Sequence, residues 1–92
     1  MGKLDCFQMV GVDLWFNSSD HEPPHFHARK PDKWEIRVFF RVCKRSNLVF
    51  NMKFPPSGSG PLGKERRELL NLVLEHRDAL YAEWEAKVDT RS

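Results

Sequence analysis

The sequence predicts an α+β fold of two layers, a four-stranded antiparallel sheet in meander order with one long C-terminal helix packed on one face. Three observations predict it: apolar residues alternate along several runs within residues 7–54, short turn-forming segments separate those runs, and residues 64–88 show helical apolar spacing. Ninety-two residues suit one core. We therefore expect a single domain over residues 1–92, with a loop at 55–63.

The strands are predicted by period-two alternation. In residues 10–16, 34–42 and 48–54 every even-numbered position is apolar. Between the first two runs, Phe26 and Ala28 are expected to face the core, with His25, His27 and Arg29 on the other side. Turn-forming residues at 17–20, 30–33 and 44–47 make the connections short, which favours an antiparallel meander.

The helix is predicted after a segment rich in Pro, Gly and Ser at residues 55–63. Apolar residues then recur at spacings of three and four, namely Leu69, Leu70, Val73, Leu74, Leu80, Tyr81, Trp84 and Val88. One helix of about 25 residues is roughly 37 Å long, enough to cross four strands. We expect it to cover the even-numbered face of the sheet.

The odd-numbered face is therefore predicted to be open. It would carry Asp13, Trp15, His25, His27, Arg29, Arg37, Phe39, Arg41, Asn51 and Lys53. Basic side chains among aromatic rings are typical of surfaces that bind single-stranded nucleic acid, because rings stack on bases and arginine pairs with phosphate. Exposed aromatic residues are also typical of a homodimer interface, and both interpretations stay open.

The charge is unevenly distributed along the chain. Residues 29–67 contain eleven Lys or Arg and three Asp or Glu, a balance of +8, whereas residues 1–28 and 68–92 each carry −3. A basic middle between acidic ends indicates a polyanionic partner or an acidic protein partner. A solvated surface of mixed charge is the alternative.

Three of the four histidines lie close together in residues 21–27. His21, His25 and His27 could bind zinc or another transition metal, with a carboxylate or water as fourth ligand. Without a metal, His25 and His27 could instead act as general acid and base on an RNA ribose, with Arg29 and Arg37 near the phosphate. The third interpretation is a rigid entry to a strand, in which the imidazoles bond to the backbone or a partner.

The remaining composition limits the class of protein. The longest apolar runs are too short to span a membrane, and the first residues lack the apolar core of a signal peptide. We therefore expect a cytoplasmic protein with no membrane partner. Cys6 and Cys43 are expected to be reduced thiols.

The segment His21-Glu22-Pro23-Pro24-His25-Phe26-His27-Ala28 resembles the H-x-P-P-H-F-H-A signature of a family of small prokaryotic proteins catalogued as a domain of unknown function. The helix pattern around Leu74 to Trp84 resembles that family too, so the resemblance spans most of the chain. Family members are often encoded beside another small protein, an organisation similar to toxin–antitoxin pairs. The resemblance implies a toxin-like role or a small cognate protein partner.

These observations together predict a small intracellular RNA-interacting protein of toxin–antitoxin type. The predicted RNA-binding residues are Trp15, Arg29, Arg37, Phe39, Arg41 and Lys53, and the predicted acid and base, should it cleave RNA, are His25 and His27. The alternatives are a transition-metal protein using His21, His25 and His27, and a non-enzymatic module whose basic face binds a protein.

Overall fold

A computed structural model of the chain describes residues 2–17, 23–56, 58 and 60–88. The strands are β1 (Gly2–Lys3), β2 (Asp13–Phe16), β3 (Phe26–Lys30), β4 (Trp34–Val38) and β5 (Phe50–Phe54), and the helices are α1 (Gly63–Glu75) and α2 (Arg77–Lys87). All neighbouring strands are antiparallel, in the order β1-β2-β3-β4-β5. The α+β class and the four predicted strands are confirmed, and the two-residue β1 adds an edge that alternation could not reveal.

Three predicted strands are shorter than expected, and β5 begins at Phe50 instead of residue 48. The run over 10–16 begins as a strand only at Asp13, because a turn closes from the Val12 amide to the Met9 carbonyl (3.1 Å) with Gly11 at φ 79°. Val10 is consequently fully exposed. Likewise β4 ends at Val38 and the chain turns, so that Val42, predicted to be buried, is half exposed.

The predicted single helix is two helices that meet at His76. The apolar stripe continues in phase from Val73 to Leu80, but the positions between them on that stripe are His76 and Arg77. The backbone leaves helical geometry at His76 (φ −110°, ψ 19°), where the imidazole packs on Phe7 with ring centroids 5.4 Å apart. The Arg77 guanidinium donates to the Cys43 carbonyl. Polar residues on the buried stripe thus coincide with the break.

The core lies between the helices and the even-numbered face of the sheet. Trp84 packs edge-on against Phe16 (5.9 Å), and Tyr81 packs against Phe40 (5.2 Å). The sheet side of this core consists largely of fully buried Phe16, Phe26, Ala28, Ile36, Val38 and Phe40. The predicted placement of the helical layer on this face is therefore correct.

The N-terminal segment is attached to α2 by a carboxylate. Glu83 accepts hydrogen bonds from the backbone amides of Asp5 (3.0 Å) and Cys6 (2.6 Å), and Lys87 bridges Glu83 (3.0 Å) and Asp5 (2.9 Å). We call these four residues the terminal clasp. It holds the N-terminal segment at the edge of the sheet by contacts with residues near the other end of the chain.

Both cysteines are free thiols, as predicted. Within the described ranges, neither helix is long and apolar enough to cross a membrane.

Candidate functional site

One row of side chains crosses all five strands on the face opposite the helices. Each member is the antiparallel partner of the next, and in strand order the members are Lys3, Trp15, His27, Arg37 and Asn51. We call this the central row. No helix or strand of the described ranges covers it. The strand register thus brings predicted residues from three separate sequence segments into one line.

Trp15, Asn17 and His27 form a hydrogen-bonded network at the start of the row. The indole Nε1–H of Trp15 donates to Asn17 Oδ1 (3.1 Å), which orients the amide so that its Nδ2–H donates to His27 Nε2 (3.2 Å). Because an indole nitrogen can only donate, this orientation is the one that satisfies both contacts. In this orientation of the amide, His27 accepts at Nε2.

The same residues are also stacked. The indole of Trp15 and the imidazole of His27 are nearly parallel, with an interplanar angle of 14° and centroids 5.2 Å apart. His27 is only 2% exposed, although its strand position faces away from the helices. The prediction that His27 is exposed is wrong, since the larger ring from β2 lies over it.

His25 lies just before β3 and joins the open face to the core. Its ring contacts His27 (5.1 Å), Phe39 (5.6 Å) and Trp84 of α2 (5.7 Å). The Nδ1–H donates to the Pro23 carbonyl (2.8 Å), which fixes the orientation of the ring. At 7% exposure, His25 too is buried rather than exposed as predicted, because aromatic rings surround it.

A second row, toward the β3–β4 turn, alternates in charge and neutralises itself in part. Arg29 pairs with Asp13 (3.4 Å), and Lys53 pairs with Glu35 (3.2 Å). Both predicted phosphate-binding cations of this row therefore already have a carboxylate partner. The predicted open face omits Glu35, and no ion pair between Asp13 and Arg29 was predicted. Both acids have the odd parity of the open face, so parity could have revealed these ion pairs.

Arg37 and Arg41 are the predicted cations that remain available. Arg37, half-buried in the central row, makes no hydrogen bond or ion pair with any residue that the structure describes. Arg41 is exposed in the turn after β4, close in sequence to exposed Lys44 and Arg45. This turn lies at the end of the sheet where β4 ends and β3 begins, so His25 and Phe39 lie at the same end.

Two predicted aromatic residues lie on the open face with partial exposure. Trp15 is half-buried against His27, and Phe39 is half-buried against His25. The predicted ligand His21 lies outside the described residues, as do both neighbouring acids. Among the residues that are described, no group of three His, Cys, Asp or Glu side chains is arranged to hold a metal ion.

Asn17 is the site residue that the sequence analysis missed. It was interpreted as part of a turn, but it follows β2 at the same parity as Trp15 and therefore faces the same side. A polar residue two positions after an exposed tryptophan was the signal. Its amide links two of the predicted residues.

The fold and site define a class of small α+β protein. Its helices pack on one face of the sheet, and a row of polar and aromatic side chains lies on the other. The chain belongs to the family described as Domain of unknown function (DUF4160), whose model matches residues 11–85. Membership in a family of unknown function, which the resemblance implied, is confirmed. Comparisons with curated proteins and with solved structures found no match.

Proposed function

We propose that this protein binds single-stranded RNA on its open sheet face. The observation that carries the proposal is the central row, in which Trp15, His27 and Arg37 lie on neighbouring strands with no helix above them. The row offers the partly exposed indole of Trp15 and the guanidinium of Arg37 two strands away, with neighbouring strands about 4.8 Å apart. Stacking on aromatic rings with phosphate pairing is the general mode of single-strand binding.

The aromatic residues would supply the stacking. Trp15 and Phe39 are each held on one side by a histidine ring and are only half-buried. Rings that are already immobilised lose little side-chain entropy when a base stacks on them. Each stacked base contributes about 1–3 kcal/mol in comparable proteins.

The cations would not contribute equally. Arg37 has no carboxylate partner among the described residues, whereas Arg29 and Lys53 are each paired with one. A phosphate approaching Arg29 must compete with Asp13, and one approaching Lys53 must compete with Glu35. We therefore assign the main phosphate contacts to Arg37 and to Arg41 in the basic turn.

Binding rather than cleavage is the core of the proposal. His27 is buried, and its Nε2 is engaged with Asn17, which does not suit proton exchange with a substrate. His25 is the ring assigned to the base in that alternative, and its Nδ1–H bond to the Pro23 carbonyl fixes the ring's orientation. Cleavage with His25 as base and His27 as acid would require both rings to become accessible.

A transition-metal site at His25 is the second candidate, favoured by one observation. Metal-binding histidines commonly donate the second ring nitrogen to a carbonyl, as His25 does to Pro23. His27 and His21 would complete the set proposed from the sequence. Protein purified without a metal column should then contain, or take up, one zinc ion that His25→Ala loses. Native protein that is free of metal and rejects added zinc would rule this candidate out.

A toxin–antitoxin role is part of the proposal and is supported by the gene organisation that the resemblance implies. The cognate partner in such a pair is a small protein. An acidic partner could occupy the same basic face, and competition between partner and RNA for that face would follow.

The direct test is fluorescence anisotropy of a labelled single-stranded RNA at several salt concentrations. We expect binding that weakens as salt rises, because phosphate contacts release counterions. Arg37→Gln should raise the Kd roughly tenfold, the cost of one hydrogen-bonded charge contact. Arg67→Gln, at an exposed position of α1, is the matched control and should bind as the wild type does.

Two outcomes contradict the proposal. Binding that is absent, or that does not depend on salt, excludes a phosphate-binding face. Equal losses in Arg37→Gln and Arg67→Gln would indicate attraction by net charge rather than by the central row. Incubation of the bound RNA with wild type and His25→Ala, followed by gel analysis, separates binding from cleavage.

A further inference from the structure

A pocket of about 570 Å³ opens at the β1–β2 edge of the sheet, beside the central row. Its lining includes five apolar residues, Leu4, Phe7, Met9, Val12 and Leu14. It also includes Trp15 and the polar residues Lys3, Gln8, Asp13 and Arg29. Pockets for small ligands typically measure about 300–1,000 Å³ and combine an apolar lining with a few polar groups. This pocket has both properties.

Trp15 belongs to the central row and to the pocket. His27 covers one face of the indole, and Asn17 takes its Nε1–H. The indole therefore reaches the pocket with its second face or its edge. A flat ring is the ligand shape that such a surface favours, because stacking uses the π-face and no hydrogen bond of the indole.

The polar side of the pocket favours a ligand with a negative group. Lys3 is exposed, and its ammonium has no partner among the described residues. Arg29 is paired with Asp13, but both side chains are more than half exposed (52% and 59%) and the atoms are 3.4 Å apart. An ion pair of this kind is weak in water, so a phosphate that also contacts Lys3 can compete with Asp13 for Arg29, which remains the weaker of the two contacts. Two cations then flank the stacking surface.

We infer that this pocket binds one nucleotide, with the base against Trp15 and the phosphate between Lys3 and Arg29. The inference rests on the proposed function, because an RNA strand on the central row would reach the pocket through Trp15. It specifies where one nucleotide of the bound RNA would lie. One nucleotide of the strand leaves the open face and enters a pocket at the sheet edge.

The experiment is isothermal titration calorimetry of the full chain with AMP and UMP, with adenosine and inorganic phosphate as separate probes. A nucleotide should bind more tightly than either of its parts. Lys3→Ala and Arg29→Gln should each raise the nucleotide Kd roughly fivefold, as expected for exposed charge contacts. Lys64→Ala removes an exposed lysine of α1 that is not among the lining residues, and should leave the Kd unchanged.

Absence of nucleotide binding, or phosphate binding as tight as that of the nucleotide, overturns the inference. The RNA titration of Arg37→Gln keeps the two proposals apart. RNA binding that depends on Arg37 without nucleotide binding refutes the pocket and retains the proposed function. Nucleotide binding that depends on Lys3, with no binding of RNA, supports the pocket and refutes the function.

Discussion

Trp15 stacks on His27 from the neighbouring strand, with ring centroids 5.2 Å apart and planes 14° from parallel. The contact buries a histidine on the sheet face that has no helical layer. It also fixes an indole ring whose other surface remains partly exposed. This pair thus accounts for the burial of His27 and leaves one partly exposed indole on the open face.

Replacing Asn17 should lower the stability of the fold, although this residue lies in a loop just after β2. Asn17→Ala removes the acceptor of Trp15 Nε1–H and the donor to His27 Nε2. We expect the free energy of unfolding to fall by about 1–3 kcal/mol, since a buried imidazole nitrogen then loses its partner. Urea unfolding followed by circular dichroism measures it. Asn51→Ala, an exposed amide of the same face, is the control, and equal losses in the two variants would refute the network.

Truncation of Trp84 should mainly lower stability, whereas truncation of Trp15 should mainly weaken RNA binding. Trp84 is 4% exposed and packs on Phe16 and His25, so Trp84→Ala should cost about 3–5 kcal/mol of unfolding free energy. Trp15→Ala should cost less, because the indole is only half-buried, but it should weaken RNA binding. Thermal or urea unfolding combined with the anisotropy assay checks both. A Trp15→Ala variant that unfolds easily and binds RNA normally would contradict the assignment.

The terminal clasp predicts a stability that depends on acid pH. Burial raises the pKa of Glu83, but hydrogen bonds from the Asp5 and Cys6 amides, the Cys6 thiol and Lys87 outweigh it and hold this pKa below its ordinary 4.5. The stabilisation is therefore complete above pH 4.5 and is lost as pH falls through the lowered folded value. Glu83→Gln keeps an acceptor for the amides but removes the charge. The stability difference between wild type and Glu83→Gln should shrink in acid.

Urea unfolding at several pH values between 7 and 3 follows this difference. Asp78→Asn, at an exposed acid of α2, provides the comparison for the loss of one carboxylate outside the clasp. A Glu83→Gln variant that is equally destabilised at every pH would show that the carboxylate charge does not hold the N-terminal segment.

Both thiols should resist alkylation while the protein is folded. Burial, and then the nearby Glu83 carboxylate, raise the pKa of Cys6 from 9.0 to about 12, and burial raises the pKa of Cys43. Since the thiolate is the reactive form, iodoacetamide at pH 9 should react much faster in urea than in buffer. Mass spectrometry resolves the two sites. Stability should fall as pH rises from 9 toward 12, because the unfolded Cys6 thiol ionises first. Fast alkylation of folded Cys6 would contradict its placement.

Strand alternation predicted which residues share a face, because side-chain direction follows directly from parity. Trp15, His27 and Arg37 were therefore placed together from sequence alone. Their exposure was not predictable in the same way. It depends on which residue of β2 lies opposite His27, and this register is set by turns whose geometry the alternation does not contain.

The remaining differences depend on contacts that are distant in sequence. β1 pairs with β2, and its Lys3 carbonyl accepts a hydrogen bond from Lys87, 84 residues away. A strand of two residues held by such distant contacts has no alternation of its own to detect. The helical break at His76 was hidden because the apolar spacing stays in phase across it. Polar residues at the stripe positions 76 and 77 were the available sign. Their partners, Phe7 and Cys43, lie in the loops between β1 and β2 and between β4 and β5.

The central claim is that RNA binds the open face, and amide chemical-shift mapping tests it most directly. Titration of ¹⁵N-labelled protein with a short single-stranded RNA should shift the amides of Trp15, His27, Arg37 and Phe39, together with those of the turn around Arg41. Amides on the outer surface of α1 and α2 should stay in place. Shifts confined to the helices, or no shifts at RNA concentrations that saturate the anisotropy signal, would contradict binding on the open face.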